Sequence, residues 1–351
     1  MHAFVCGRCR SSVRFEDLTC GQCGDALGYR PDRLDIVSES SDDRPFNGWH
    51  RCAEVSWGCN WLVHDDDEYA GCEACRLNRK VPPRADTIAW EQLAAAATAK
   101  RRLVHQLKDQ GLPIVSYRDR PDGGLAFDLL SSQSGDGPVM IGHANGVISI
   151  DLAESNDQHR ESVRVWLDES YRTMLGHFRH EIGHYYWQVL IPGTRWEAPF
   201  RDLFGDERES YSEALQRHYA RDPGRPLDPQ FITPYASSHP WEDFAEVWAH
   251  YLHITGTLRT AMHNGLLPEQ TVAGSAVRAQ IDVAPDQVGE VLQLWARFAW
   301  VFNELNRSMG KPDAYPFVIA EPVARKLTFV HDLVRDARDA RDARDMGSEG
   351  G

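Results

Sequence analysis

No stretch of this chain approaches the roughly 18 consecutive apolar residues of a membrane-spanning helix, so none is expected to cross a bilayer. The opening residues MHAFVCGRCRSS lack the apolar core and cleavage site of an export signal, so a cytoplasmic location is the default expectation. Basic residues are in short supply. The 38 Lys and Arg face 52 Asp and Glu, a formal charge of −14, which argues against nucleic acid or an anionic membrane as the main partner. All eight cysteines lie at or before residue 75. In a reducing cytosol they are expected as free thiols or metal thiolates rather than disulfides. What is present is a globular composition, 42% hydrophobic and 10% aromatic over 351 residues, enough for two or three domains.

The cysteines fall into two quartets. Cys6, Cys9, Cys20 and Cys23 read C-x2-C-x10-C-x2-C, two turns that each aim a pair of sulfurs at one point and together suit tetrahedral zinc. Gly7, Gly21 and Gly24 fit the tight turns. So short a segment cannot bury a useful core, so the metal would supply its folding free energy. A redox dithiol would need a βαβ setting that is missing here. Cys52, Cys59, Cys72 and Cys75 form a second, less regular quartet. There His50 or His64 could substitute for one thiol, or some thiols could be buried as small hydrophobes. Trp49, Trp57 and Trp61 are expected to cover the small core around it.

Beyond the linker at 81–90, the pattern predicts a helix over 87–110 with Gly111 as its C-cap. Strand-like segments follow at 113–118, 125–130, 139–146 and 147–152, separated by Pro- and Gly-rich turns, which predicts a small, mostly antiparallel sheet. Helical periodicity then runs over about 157–190 and recurs at 208–220, 240–255, 267–281, 285–308 and 321–337. The repeat RDARDARDARD at the end reads as a frayed helix or disordered tail. The expected organisation is a zinc ribbon at 1–28, a second cysteine-rich zinc-binding segment at 29–80, a main domain at 85–330 and a charged tail at 335–351.

Within GHFRHEIGHYYWQVL, His180, Glu181 and His184 form H-E-x-x-H. On a helix the two histidines lie one turn apart on one face and can reach the same ion. Glu181, rotated by about 100°, sits where a carboxylate can take a proton from an attacking water. Gly183 costs helix propensity and leaves room beside the ligands. The motif has three fixed positions, so a core helix with satisfied imidazoles is an equal reading until a third ligand is found. The downstream glycine and histidine of a metzincin are absent, with Trp187 and Leu190 in their places.

The stretch SSHPWEDFAEVWAHYLH (237–253) offers that ligand. Glu242 lies near a helix N-terminus, which favours the ionised carboxylate. Glu246, one turn later, can accept the free ring N–H of a ligating histidine. This pairing of helices is the gluzincin arrangement. Glu197, Glu209 and Glu213 are rival third ligands, and Glu197 is the second choice. Tyr235, in the loop before this helix, is the favoured donor to a developing oxyanion, with His239, His250 and His253 as alternatives. The strand GVISIDL is a candidate edge for an extended peptide substrate, or simply part of the core sheet.

With the first quartet, GCNWLV, CEACRLNR, GVISIDLAE, YRTMLGHFRHEIGHYYW, LFGDER and HPWEDFAEVWAHYLHI, the chain resembles the bacterial zinc-binding metallopeptidases that carry an N-terminal zinc ribbon. The resemblance covers most of residues 1–255. It implies an α+β, gluzincin-like peptidase domain behind a zinc-ribbon module, with His180, His184 and Glu242 as ligands and Glu181 as base. It implies one catalytic and one or two structural Zn2+ ions, a peptide or protein substrate, and a protein partner as a role open to the ribbon. Two other functions compete with it: a zinc-dependent binding or regulatory protein, and a non-peptide amidohydrolase.

Overall fold

The computed structural model describes residues 2–40, 46–132, 139, 141–155, 173–220, 226–267, 283–284 and 287–348. The architecture is mixed α+β, and the chain divides into two units, 1–159 with 263–266 and 160–262 with 267–351. Among the described residues, no helix is long and apolar enough to cross a membrane.

The first unit is built from short ladders. Strand β1 (Phe4–Val5) pairs antiparallel with β2 (Ser12–Val13), β3 (Leu27–Arg30) with β4 (Asp35–Ser38), and β5 (Trp49–Arg51) with β6 (Leu62–His64). Gly28 permits a close approach, since a Cβ there would lie 2.6 Å from the Leu62 side chain. Trp61 and Tyr29 are fully buried, with ring centroids 4.5 Å apart, whereas Trp49 is only half-buried beneath the Arg30 guanidinium. Burial drives His105 down to about 3, so it is neutral and accepts the Tyr29 hydroxyl at 2.6 Å.

Strand β7 (Asn78–Lys80) leads into helix α1 (Thr87–Asp109), which opens with the Asp86 side chain accepting from the Ala89 N–H and is followed by Gly111 at φ 72°. The remaining strands are β8 (Ala126–Leu130), β9 (Gly142–Ala144) and β10 (Val147–Asp151), and the sheet order is β7-β8-β10-β9. This sheet is not mostly antiparallel: β8 runs parallel to both β7 and β10, and only β9 and β10 are antiparallel. The physical reason is the connection. Helix α1 carries the chain from β7 to β8 as a crossover, and parallel neighbours require one. Strand β7 reads NRK, with no apolar alternation to reveal it.

Asn145 and Gly146, both at positive φ, close the β9–β10 hairpin. Strand β10 is therefore paired on both sides, and the edge-strand reading of GVISIDL does not hold. The segment 113–118 forms one isolated bridge, Ser116 to Leu125, rather than a strand.

The second unit is helical: α2 (Met174–Leu190), α3 (Glu197–Phe204), α4 (Tyr211–Tyr219), α5 (Pro240–His263), α6 (Val288–Ser308) and α7 (Glu321–Ser348). Thr173 caps α2 by accepting the Gly176 N–H at 2.9 Å. The first part of the predicted 157–190 helix, up to residue 172, and the predicted 267–281 helix beyond residue 267 lie outside the described residues. Helix α5 runs through Gly256 to His263, and α7 continues through the RDA repeat to Ser348 instead of ending near 337. Alanine and arginine are strong helix formers, and an established helix propagates more easily than a new one nucleates. The core between α2, α3 and α5 is aromatic, with Tyr186 stacked on Trp248 at 4.9 Å and Phe244 against Phe200 and Phe204.

Candidate metal centre

Among the described residues, three groups of side chains bring potential metal-binding atoms within 4.8 Å of one another: Cys6, Cys9, Cys20 and Cys23; Cys52, Cys59, Cys72 and Cys75; and His180, His184 and Glu242. In the first, Cys6 and Cys23 sulfurs lie 3.7 Å apart, and those of Cys9 and Cys20 3.6 Å. In the second, Cys59 lies 3.7 Å from both Cys72 and Cys75. A tetrahedron with Zn–S bonds of about 2.3 Å has edges of about 3.8 Å, so both sets fit one zinc. Burial would raise the Cys6 thiol, but the Ser38 hydroxyl at 3.3 Å and the backbone N–H groups of Cys9 and Arg8 bring it down to about 6. His50 binds Asp65, and His64 interacts with Asp66; neither belongs to the second group.

The third group is assembled by two helices. On α2, His180 and His184 project from successive turns. On α5, Glu242 sits in the first turn, and the His239 ring accepts the Trp241 N–H at 3.1 Å to cap that turn. Gly183 is where the helices meet: a Cβ there would lie 3.0 Å from Ala245 Cα and 3.1 Å from Trp248 Cβ. Its helix-propensity cost is offset by this close approach.

The donor spacing is what a small cation imposes. His180 Nε2 is 3.0 Å from Glu242 Oε2, His184 Nε2 is 3.2 Å from His180 Nε2, and His184 Nε2 is 3.3 Å from Glu242 Oε2. A tetrahedral zinc with bonds of about 2.0–2.1 Å has edges of about 3.3–3.4 Å. Two imidazole nitrogens and a carboxylate oxygen, all lone-pair donors toward a metal, therefore converge on one point. Burial would raise the Glu242 carboxyl, but His184 and His180 hold it well below its ordinary value, in the ionised form that ligation needs. Among the described residues no fourth His, Cys, Asp or Glu joins the group.

Surrounding groups fix these donors. His180 Nδ1 is 2.7 Å from Glu246 Oε1, so its N–H is taken and Nε2 is left for a metal. Glu246 Oε2 in turn accepts the Thr233 hydroxyl at 2.7 Å. Tyr211 donates to Glu242 Oε1 at 2.7 Å, leaving Oε2 toward the histidines. The Trp241 ring lies 3.8 Å from the His184 ring. Asp243, fully buried beside Glu242, is bound by Lys326 Nζ at 2.5 Å, which ties α7 to the start of α5.

Glu181 lies outside the donor triangle. Its Oε1 is 3.2 Å from His177 Nε2, while its Oε2 is buried with no hydrogen-bond partner among the described residues. Burial would raise this carboxyl; the His177 bond and the field of His180 outweigh it and keep it below its ordinary value. Tyr235 opens a short 3-10 turn (Tyr235–Ser238), with its ring centroid 5.9 Å from that of His180. Burial and the Glu242 charge raise its hydroxyl well above the usual tyrosine value, so it remains a proton donor. Among the alternatives, His250 is bound to Tyr315 at 2.7 Å and His253 to Arg179 at 2.6 Å.

The rival ligands are elsewhere. Glu197 accepts the Gly193 N–H and pairs with Arg201, Glu209 pairs with Arg217, and Glu213 is exposed. Sequence reasoning missed Tyr211, Thr233 and His177. Only His177 left a local trace, its i, i+4 spacing to Glu181. Tyr211 is delivered by the LFGDER loop, which Arg201 clamps through Glu207 and which packs Gly205 against Pro240.

Residues 88–333 match the model of the family described as "Putative zinc-binding metallo-peptidase", and residues 3–86 match a zinc-ribbon domain. Uncharacterized proteins of Mycobacterium tuberculosis and Mycobacterium bovis are each 41% identical over 338 residues, covering 95% of this chain and 95% of theirs. No solved structure matches.

Proposed function

The chain belongs to this zinc-binding metallo-peptidase family, and from that premise we propose that it hydrolyses peptide bonds with Glu181 as general base. The observation that carries the reading is one arrangement: three donor atoms at tetrahedral spacing, with a buried carboxylate oxygen of Glu181 that no group among the described residues binds. His180, His184 and Glu242 would hold a zinc ion, whose Lewis acidity polarises a carbonyl and acidifies a water.

The protein's own groups do the rest. Glu181 Oε2 takes the proton from the attacking water and returns it to the departing amine. Its depressed pKa keeps it ionised, with both oxygens unprotonated before the water attacks. Glu246 holds His180 in the tautomer that presents Nε2, and Tyr211 holds Glu242 with one oxygen inward. Tyr235 donates to the carbonyl oxygen as negative charge grows on it. Tyr235→Phe is expected to lower kcat by about 100-fold with KM little changed, as for a donor used only in the transition state. A larger effect on KM than on kcat would assign Tyr235 to substrate binding instead.

Metal removal tests the proposal as a whole. Treating the protein with 1,10-phenanthroline should abolish cleavage of a peptide library, and stoichiometric zinc should restore it. Undiminished cleavage by protein shown to be metal-free would refute the peptidase mechanism.

A further inference from the structure

The second cysteine group poses a charge problem that the first does not. Cys52, Cys59, Cys72 and Cys75 are all buried, whereas Cys9 and Cys23 of the first group are half-exposed. Four thiolates around one divalent ion carry a net charge of −2. Water can screen that charge at the first site, but a buried site needs compensating charge from the protein.

Helix α1 supplies two candidates. Lys100 and Arg101 are each only 1% exposed, and neither has a carboxylate within ion-pair distance among the described residues. Both reach the backbone of the cysteine turns instead. Lys100 Nζ donates to the Ala74 carbonyl, between Cys72 and Cys75, at 2.7 Å, and also to Asn78 Oδ1. Arg101 Nη2 donates at 3.1 Å to the carbonyl of Gly58, which precedes Cys59, while its Nη1 is buried with no partner among the described residues. Burial lowers the Lys100 ammonium to about 8, and the charges of Cys75, Cys72 and Cys59 act on it in the opposite sense. Burial raises the partly buried Glu54 carboxyl, and the Lys100 charge acts on it in the opposite sense, as it also lowers the Cys75 thiol.

We propose that Lys100 and Arg101 are the counter-ions of the second four-thiolate site, balancing its net −2 charge, so that α1 is part of that metal site. Two buried cations match a divalent ion held by four deprotonated cysteines. A trivalent ion would leave one positive charge in excess, and a monovalent ion one negative charge. The consequence is structural coupling: the helix that opens the peptidase-family match is ordered together with the metal that the cysteine module binds. The inference does not depend on the peptidase reading.

The test is zinc release from the full chain to the chromogenic chelator 4-(2-pyridylazo)resorcinol, with Cys9→Ser and Cys52→Ser assigning the phases to the two cysteine sites. Lys100→Met should speed release from the second site by at least about 10-fold and leave the first unchanged, in the range for loss of an outer-shell partner. Lys100→Arg, which keeps the charge, should stay near wild type, as should Glu54→Gln. An unchanged second phase in Lys100→Met overturns the proposal, and so does equally fast release from Lys100→Arg. Should Lys100→Met fail to fold, amide exchange decides. In Cys52→Ser lacking the second zinc, the stretch of α1 from Ala96 to Leu107 should lose at least about 10-fold protection while α2 and α5 keep theirs. Unchanged protection along α1 overturns the proposal equally.

Discussion

Glu181→Gln is expected to reduce peptide cleavage by about 100- to 10,000-fold while the zinc content stays at that of the wild type. The change is isosteric and removes proton affinity without touching a proposed ligand. His180, His184 and Glu242 keep their positions because Gly183, Glu246 and Tyr211 hold them, and none of these bonds involves Glu181. The buried Oε2 makes no bond among the described residues that an amide would break, and the His177 contact at 3.2 Å can be kept by the amide oxygen. The loss should appear in kcat and kcat/KM together, the signature of an interaction made only in the transition state. Cleavage at wild-type rate by a zinc-loaded Glu181→Gln protein would remove Glu181 from the mechanism.

Glu242→Ala should have a comparably large effect through a different route. It removes the only carboxylate of the donor triangle and leaves His180 Nε2 and His184 Nε2 facing each other at 3.2 Å without an anionic ligand. Tyr211 loses its acceptor at the same time. Zinc at the helix site should weaken by more than about 100-fold, beyond the range for an outer-shell partner, and activity should fall with it. The two cysteine sites share no residue with this group, so total zinc should drop by one ion per chain and no more. Glu197→Ala serves as the control, since Glu197 is engaged with Gly193 and Arg201. Full zinc content in Glu242→Ala, or loss in Glu197→Ala, would reassign the third ligand. The two substitutions separate the proposed roles, because one removes activity with the metal retained and the other removes the metal.

Much of the site was legible because its geometry is local. Two histidines four residues apart share a helix face wherever that helix forms, and each C-x2-C turn converges two sulfurs whatever surrounds it. The second helix of the donor group was legible for a related reason: acids at helix spacing among Trp241, Phe244, Val247 and Trp248 needed a partner. The sheet was less legible. Its parallel pairing depends on where α1 returns the chain, and β7 is too short and polar to announce itself. The charged end of α7 was legible only as a frayed helix or a disordered tail, because its helicity comes from continuation of the preceding turns rather than from an apolar stripe.

By itself, the sequence determined the chemistry on offer: eight thiols grouped in two fours, a histidine pair with its glutamate, and acids on an apolar helix. It also carried the family resemblance that the later comparisons bear out. Only the tertiary structure decided which groups meet. It placed Glu242, and not Glu197, beside the histidine pair, brought Tyr211 and Thr233 to Glu242 and Glu246, and set Lys100 and Arg101 against the second cysteine group. The reason is physical. A ligand pair on one helix follows from a backbone repeat a few residues long, whereas a hydrogen bond between residues 31 or 43 positions apart exists only after packing has brought their elements together.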